Sequence, residues 1–180
     1  EKDTQGRMPS RMPSLPWYLL LSIVQANRFD SGFIDISANG TSGSMFYWFF
    51  PPRNNDADAP FVLWLQGGPG ASGMLGCLKE LGPVEILNGS LSPRESTWCE
   101  EFACLFVDQP LGTGYSVARE YATSEEGVAS GLYDFLSRFF RMPAHQAWAA
   151  NDFYIAGESY GGHFVPSLAY YILDAQQGAS

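Results

Sequence analysis

The feature that most constrains this chain is the stretch FYIAGESYG, residues 153–161, in which an apolar run leads into a serine flanked by glycines. FYIA is a short apolar run that predicts a strand. Gly157, Ser159 and Gly161 fit the GxSxG pattern, a sharp strand-to-helix turn that projects a serine hydroxyl above a sheet. Side chains at the two glycines would clash inside so tight a turn. The stretch predicts a strand, a reactive serine and a following helix.

An ordinary turn or helix-capping serine is the alternative interpretation of Ser159, because a bare GxSxG pattern also arises by chance. The strand before it and the helix-compatible run after it, about residues 166–175, favour a nucleophile. Proline fits poorly inside a helix that starts at Tyr160. We therefore expect a break just before Pro166.

Apolar segments alternate with helical ones along the rest of the chain. Residues 61–65 (FVLWL) and 104–108 (CLFVD) predict buried strands, and the aromatic run 45–50 predicts a hairpin with 61–65. A short helix around 74–81 and an irregular stretch containing Asn88 lie between them. This alternation indicates an α/β fold, a mostly parallel sheet with flanking helices.

The clearest helix signal begins at a capping box formed by Thr123 and Glu126 and ends at Pro143. Between them, apolar residues repeat at helical spacing: Val128, Leu132, Phe135, Leu136 and Phe139.

Composition fits one globular domain over residues 29–180. Hydrophobic residues make up 46% of the 180 residues, which is ample for a core. Nineteen Asp and Glu against ten Lys and Arg give a net charge of −9. Nucleic acid and anionic membranes are therefore not predicted as partners.

Residues 1–28 have the pattern of a leader. Arginines precede an apolar run from Leu15 to Val24, and Ala26 provides a small residue after it, where a secretory signal has its cleavage site. The run is too short to span a bilayer as a helix. A propeptide or misassigned leader with a duplicated RMPS is the alternative.

Two sequons, at Asn39 and Asn88, agree with a secretory route, although each also suits a plain turn. The chain has three cysteines, Cys77, Cys99 and Cys104, so at least one has no partner within it.

A serine nucleophile needs hydrogen-bond donors for the oxyanion that forms on the attacked carbonyl. In this kind of turn one donor is the amide after the serine, here Tyr160. The second usually comes from a glycine loop after an earlier strand, and residues 67–70 (GGPG) follow 61–65 closely. An ordinary Gly-Pro turn is the alternative interpretation.

Four blocks together resemble the serine carboxypeptidases, exopeptidases with the α/β-hydrolase fold. They are FDSGFIDI (29–36), FVLWLQGGPGASG (61–73), LFVDQPLGTGYS (105–116) and FYIAGESYGGHFVP (153–166), in the family's order and at about its spacing. The residues of these segments are most similar to those of the vitellogenic-like branch of the family. The resemblance implies that residues 29–180 are the N-terminal part of such a domain, incomplete, in a secreted, lysosomal or vacuolar enzyme.

The resemblance also implies roles for individual residues. Ser159 is the nucleophile, and the amides of Gly68 and Tyr160 form the oxyanion hole. Four residues bind the terminal carboxylate of the substrate: Gln66, Gly67, Glu80 and Glu158. Two carboxyl groups held close share a proton, so one pKa rises and the pair can hydrogen-bond a carboxylate. This predicts activity favoured in acid.

Without the resemblance, Glu80 is interpreted as a solvated helix end. Two positions depart from the family pattern: Gln66 replaces the usual asparagine and Ala71 replaces a cysteine. The first leaves the geometry of the carboxylate site open, and the second removes a usual disulfide partner.

The base of a catalytic triad is not evident in this sequence. His145 lies in a polar stretch and is predicted at the surface. His163 is too close to Ser159 along the chain to reach back, and Asp174 follows it, whereas the fold's order is serine, acid, histidine. We therefore expect the acid and base outside these residues, and the chain alone to be inactive.

The leading functional hypothesis is a serine carboxypeptidase that acts on peptides through an acyl-enzyme, with no cofactor and no metal. The missing C-terminal segment of the same enzyme is its expected partner. A related acyltransferase and a catalytically silent secreted binding protein are the alternatives.

Overall fold

The computed structural model describes residues 29–178, so the predicted leader, residues 1–28, lies outside the described residues. The strands are, in chain order, β1 (Asp30–Ala38), β2 (Thr41–Phe50), β3 (Phe61–Leu65), β4 (Val84–Leu87), β5 (Ser90–Pro93), β6 (Ala103–Val107), β7 (Val117–Glu120) and β8 (Phe153–Gly157). The α-helices of the described residues are α1 (Gly73–Leu75), α2 (Glu125–Phe139) and α3 (Gly161–Gly178). Helix α1 continues into a π-helical turn (Gly76–Glu80).

The main sheet has the strand order β1-β2-β6-β3-β8, with β7 also paired to β2. Strands β6, β3 and β8 are parallel, whereas β1, β2 and β7 join by antiparallel pairing. The predicted α/β architecture with flanking helices is confirmed, and the sheet is mixed because an antiparallel hairpin borders its three parallel strands.

The predicted hairpin between residues 45–50 and 61–65 is wrong. Strand β2 pairs with β1 instead, through a tight turn at Asn39 and Gly40, whose φ angles are 32° and 73°. Asn-Gly suits such a turn because both positions need positive φ. Strand β6 then lies between β2 and β3, so the two aromatic runs are not neighbours.

The stretch around Asn88 is a hairpin rather than irregular structure. Strands β4 and β5 pair antiparallel, and Asn88 and Gly89 at its tip have φ angles of 52° and 78°. The two sequon asparagines, Asn39 and Asn88, therefore both occupy hairpin turns.

The core forms two layers, one on each face of the sheet. Helices α2 and α3 cover one face, where Phe135 and Phe139 of α2 and Phe164 of α3 pack on the strands. Helix α1, the π-helical turn and the segment with β4 cover the other face. Strands β3 and β6 are fully buried between these layers.

Two details of the helices differ from expectation. The cap of α2 is Ser124 rather than Thr123: its hydroxyl accepts a hydrogen bond from the Gly127 amide at 3.1 Å. Helix α3 runs through Pro166 without the expected break. The carbonyl that the proline leaves without a partner is that of Gly162, an exposed residue, where solvent can satisfy it.

His145 is buried, so its predicted surface position is wrong. The chain turns back after Pro143, and the imidazole stacks on Phe139 with ring centroids 4.1 Å apart. Its Nε2 lies 2.7 Å from a carboxylate oxygen of Asp30, which also accepts a hydrogen bond from the Tyr47 hydroxyl. The ring is 2% exposed because this loop closes over the aromatic core.

The cysteines agree with the prediction that one lacks a partner. Cys99 and Cys104 form a disulfide, and Cys77 is free and fully buried. Burial raises the pKa of the Cys77 thiol to about 12, so it is protonated and unreactive at neutral pH.

Candidate active site

Ser159 lies in a sharp turn between β8 and α3. Its φ is 54°, a left-handed backbone conformation that few residues other than glycine adopt. The turn is closed by a hydrogen bond of 2.7 Å from the Gly161 amide to the Glu158 carbonyl. A Cβ atom at Gly157 or Gly161 would lie 2.7 or 2.6 Å from the Leu65 carbonyl oxygen, which accounts for both glycines.

A glycine-rich segment, residues 66–72, follows β3 and lies against this turn; we call it the glycine loop. A Cβ atom at Gly67 would lie 2.7 Å from the Tyr160 nitrogen and 2.9 Å from the Ser159 Cβ. Within residues 29–178, the amides of Gly68 and Tyr160 donate no hydrogen bond to protein. Two unpartnered amides therefore lie in the two segments that meet beside the serine hydroxyl.

Gln66 brings two carboxyl groups together beside the serine. Its side chain is 3% exposed and accepts a hydrogen bond from the Trp64 indole at 2.8 Å. Its amide nitrogen donates to Glu158 at 2.9 Å and to Glu80 at 3.4 Å. Because Trp64 fixes which end of the amide is the acceptor, the donor end must face the carboxyl groups.

The two carboxyl groups also interact with each other. Partial burial, a hydrogen bond with Glu158 and the charge of Glu158 raise the pKa of Glu80, and the Gln66 amide opposes them. Glu80 lies at the end of the π-helical turn and remains exposed, as the solvated-end interpretation has it. Its contacts nevertheless place it beside Glu158, and we call Glu80 and Glu158 the carboxyl pair.

Neither histidine lies in position to activate Ser159. The ring of His163 packs against Tyr160, with centroids 4.6 Å apart, and His145 pairs with Asp30. The Ser159 hydroxyl forms no hydrogen bond with a histidine within the described part of the chain. Asp174 is exposed on α3.

Sequence reasoning missed one contact at the turn. The Tyr160 hydroxyl donates a hydrogen bond of 2.8 Å to Glu125, the first residue of α2. This bond and the charge of Glu125 raise the pKa of the Tyr160 hydroxyl. Glu125 lies 35 residues away along the chain, so only the packing of α2 against α3 brings it there.

A second missed feature lies at the end of β6. Asp108 is fully buried, and its carboxylate accepts hydrogen bonds from the Ser72 hydroxyl and from the Tyr115 amide, the latter at 2.8 Å. The next residue, Gln109, is 1% exposed and donates to the Gln66 carbonyl at 3.3 Å. The position of both residues directly after an apolar strand was the available signal.

A strand, a tight turn with a serine at positive φ, a helix and a neighbouring glycine loop define the α/β-hydrolase class. The structure is similar to a prohormone-processing carboxypeptidase from Saccharomyces cerevisiae, with a TM-score of 0.76 and 29% identity over 85% of this chain and 35% of that one. A peroxisomal alpha-beta-hydrolase from the same yeast, 12% identical with a TM-score of 0.51, shares the fold.

The family model described as serine carboxypeptidase matches residues 23–180, and the chain belongs to that family. It is 45% identical over 146 residues to a probable serine carboxypeptidase (CPVL) of Rattus norvegicus, covering 79% of this chain and 30% of the relative. It is 41% identical over 150 residues to the vitellogenic carboxypeptidase of Aedes aegypti, covering 81% of the chain and 31% of the relative. The chain thus spans about 30% of the length of these relatives.

No helix within residues 29–178 combines the length and apolarity that crossing a membrane requires. The same residues contain no cluster of three or more side chains suited to hold a metal ion.

Proposed function

We propose that this chain carries the nucleophile and the carboxylate-binding residues of a serine carboxypeptidase that releases C-terminal amino acids from peptides. The observation that carries the proposal is the position of Gln66, which donates to both members of the carboxyl pair directly beside the serine turn. A protonated carboxyl group and an amide donor at one point suit a free carboxylate, the group that distinguishes the end of a peptide from its interior.

The chemistry follows from this arrangement. The Ser159 hydroxyl attacks the last peptide carbonyl, and the amides of Gly68 and Tyr160 stabilise the oxyanion, each contributing about 3 kcal/mol. The C–N bond breaks, the terminal amino acid leaves with a proton, and the acyl group remains on Ser159. Water then attacks the acyl-enzyme and regenerates the hydroxyl.

The proton on the carboxyl pair makes binding depend on pH. The pKa of Glu80 is raised, so the proton is present in acid and is lost as pH rises through that value. The ionised pair then repels the carboxylate of the substrate. We therefore expect KM to increase as pH rises, and activity to be favoured in acid.

The acid and the histidine of the triad come, on this proposal, from polypeptide beyond residues 29–178. Strand β8 supports this, because its outer edge pairs with no other strand among these residues and an apolar groove of about 330 Å³ runs beside it. A parallel strand added there would end beside Ser159, at the carboxyl edge of the sheet. The loop after such a strand is placed to deliver a side chain to the serine hydroxyl.

A secretory destination is part of the proposal. The disulfide between Cys99 and Cys104 suits an oxidising compartment. Asn39 and Asn88 are both exposed at hairpin tips, as a glycosylated asparagine must be. The side chain of Asn39 also donates to the Tyr171 hydroxyl at 3.4 Å, so we expect Asn88 to be modified more completely.

The test is hydrolysis of an N-blocked dipeptide by the gene's complete product, with the 180-residue chain assayed in parallel. We expect turnover only from the complete product, and loss of about 10³-fold or more with Ser159→Ala. Glu80→Gln should remove much of the pH dependence of KM, because glutamine keeps a donor at every pH. Glu95→Gln, an exposed matched control, should change neither value.

Three outcomes would contradict the proposal. Turnover by the 180-residue chain that depends on Ser159 would show that the base lies within it. A complete product that ignores peptides but transfers the acyl group of a glucose ester to an alcohol would indicate an acyltransferase, and one inert toward both would indicate a silent binding protein.

A further inference from the structure

We propose that Asp108 and Gln109, consecutive buried residues at the end of β6, are positioning residues that hold the two ends of the glycine loop beside Ser159. The proposal rests on the proposed function, in which this loop supplies the Gly68 amide to the oxyanion. Asp108 and Gln109 act through the loop, and neither forms a hydrogen bond with Ser159 in the described part of the chain.

Gln109 holds the end of the loop nearer to β3. Its Nε2 donates to the Gln66 carbonyl at 3.3 Å, and both residues are buried. Gly67, which follows Gln66, lies so close to the serine turn that a Cβ atom added to it would be 2.9 Å from the Ser159 Cβ. Within residues 29–178 the Gln109 Oε1 is buried with no donor, which costs free energy. Packing alone therefore does not account for a glutamine here, whereas orienting the Gln66 carbonyl does.

Asp108 holds the other end of the loop. Its carboxylate accepts a hydrogen bond from the Ser72 hydroxyl, and that hydroxyl accepts one from the Met74 amide at 3.1 Å. Ser72 is both the last residue of the loop and the cap of α1. A buried carboxylate is stable only when such bonds satisfy it, so Asp108 fixes Ser72 in place.

Within itself the glycine loop has little to fix its shape. One backbone hydrogen bond crosses it, from the Ala71 amide to the Gly67 carbonyl at 3.1 Å. Gly68 and Gly70 have φ angles of 110° and 91°, conformations that glycine enters and leaves at little cost. The position of the Gly68 amide therefore depends on contacts from outside the loop. The end of β6 provides one such attachment near each end of the loop, through Gln109 and Asp108.

The first test measures amide hydrogen exchange in the 180-residue chain. Gln109→Met removes the donor but keeps a long unbranched side chain, and we expect the Ala71 amide to exchange at least about 10-fold faster. Asn151→Ala is the matched control, because Asn151 donates in the same way to the carbonyls of Ala57 and Ala59, at the opposite edge of the sheet. It should leave Ala71 within twofold of the unmodified chain.

Two results of this test would overturn the proposal. One is exchange at Ala71 that stays within twofold in a folded Gln109→Met variant. The other is acceleration of the same size throughout β3 and β6, which would mean a general loss of stability rather than a released loop.

A rescue experiment separates positioning from packing. In Gln109→Glu the carboxyl group can donate to the Gln66 carbonyl only when protonated. We expect exchange at Ala71, measured relative to Asn151→Ala, to be fast at neutral pH and to approach that of the unmodified chain in acid. A ratio that does not change with pH contradicts the proposal.

Kinetics of the gene's complete product provide the functional readout. Gln109→Met should lower kcat about 10- to 100-fold through displacement of the Gly68 amide, with a much smaller change in KM. A loss confined to KM would overturn the positioning role. If the complete product hydrolyses no peptide at all, the proposed function fails, while the exchange experiments still decide whether β6 holds the loop.

Discussion

Strands β3 and β8 lie side by side with similar apolar sequences, FVLWL and FYIAG, but their environments differ. Every residue of β3 is buried, whereas Phe153 and Tyr154 of β8 are 36% and 52% exposed. Strand β3 has neighbours on both sides, and β8 pairs only with β3 within residues 29–178. An apolar run therefore predicts that a strand will be buried. Which segments bury the strand is not specified by the run itself.

This difference divides the site between a rigid and an open half. The glycine loop and Gln66 follow the buried strand and are held by β6, through Asp108 and Gln109. The serine follows the exposed strand, and its turn is held from the side by Tyr160 on Glu125. Of the two proposed oxyanion donors, the Gly68 amide thus lies in the half held by β6, and the Tyr160 amide lies with the proposed nucleophile in the open half.

The largest effect on stability is expected from truncating two side chains that occupy paired positions on β3 and β8. Leu63→Ala in β3 should lower the free energy of unfolding by about 2–5 kcal/mol, because it leaves a cavity at a fully buried position. Ile155→Ala, at the position of β8 that pairs with Leu63, should cost less than half as much. Urea unfolding of the 180-residue chain measures both.

Equal losses for the two variants would break the comparison. The same two variants can also be compared in the gene's complete product. If a further strand pairs with β8 there, the loss in free energy of unfolding caused by Ile155→Ala should increase toward that caused by Leu63→Ala.

The two histidines offer a test of intermediate size. His145→Ala should cost about 2–3 kcal/mol, because it empties a site stacked on Phe139 and removes one of the two partners that lie 2.7 Å from the Asp30 carboxylate. His163→Ala, on the exposed side of α3, should change stability by less than about 0.5 kcal/mol. Thermal unfolding of both variants checks the contrast, and a small effect at His145 would contradict its buried role.

Much of the fold followed from local sequence because the signals were local. The buried strands 61–65 and 104–108, the helix ending before Pro143 and the turn at Ser159 all depend on composition or on residues close in sequence. Strand order did not follow, because pairing is decided by contacts between distant segments. The aromatic run 45–50 was assigned to the wrong partner for this reason.

The errors at single residues have a common cause. His145 was placed at the surface from its polar neighbours, but the core it covers is built by residues about a hundred positions earlier, such as Asp30 and Tyr47. Pro166 was expected to break a helix, but the carbonyl that it leaves without a partner is that of the exposed Gly162. Asp108 and Gln109 lie in the block 105–116, but that block assigned them no role, and Glu125 lies in none of the four blocks. The contacts of all three residues depend on what the fold places beside them.

The smallest expected effect concerns the carboxyl pair, Glu80 and Glu158. Both residues accept hydrogen bonds from Gln66, which follows β3, and Glu158 lies in the serine turn after β8. Because the pKa of Glu80 is raised, the folded chain binds that proton more tightly than the unfolded chain. The resulting stabilisation is complete below the ordinary value of about 4.3 and is lost as pH rises through the raised value. Glutamine imitates the protonated form at every pH.

Glu80→Gln should therefore match the unmodified chain in acid and exceed its stability at neutral pH. The gain should be under about 1 kcal/mol, because Glu80 is exposed and water screens its interaction with Glu158. Urea unfolding at pH 4 and pH 7 measures it, with Glu95→Gln as the control expected to show no such pH dependence. A Glu80→Gln variant less stable than the unmodified chain at pH 7 would mean that the two carboxyl groups do not share a proton, and that the site is not built to bind a carboxylate in this way.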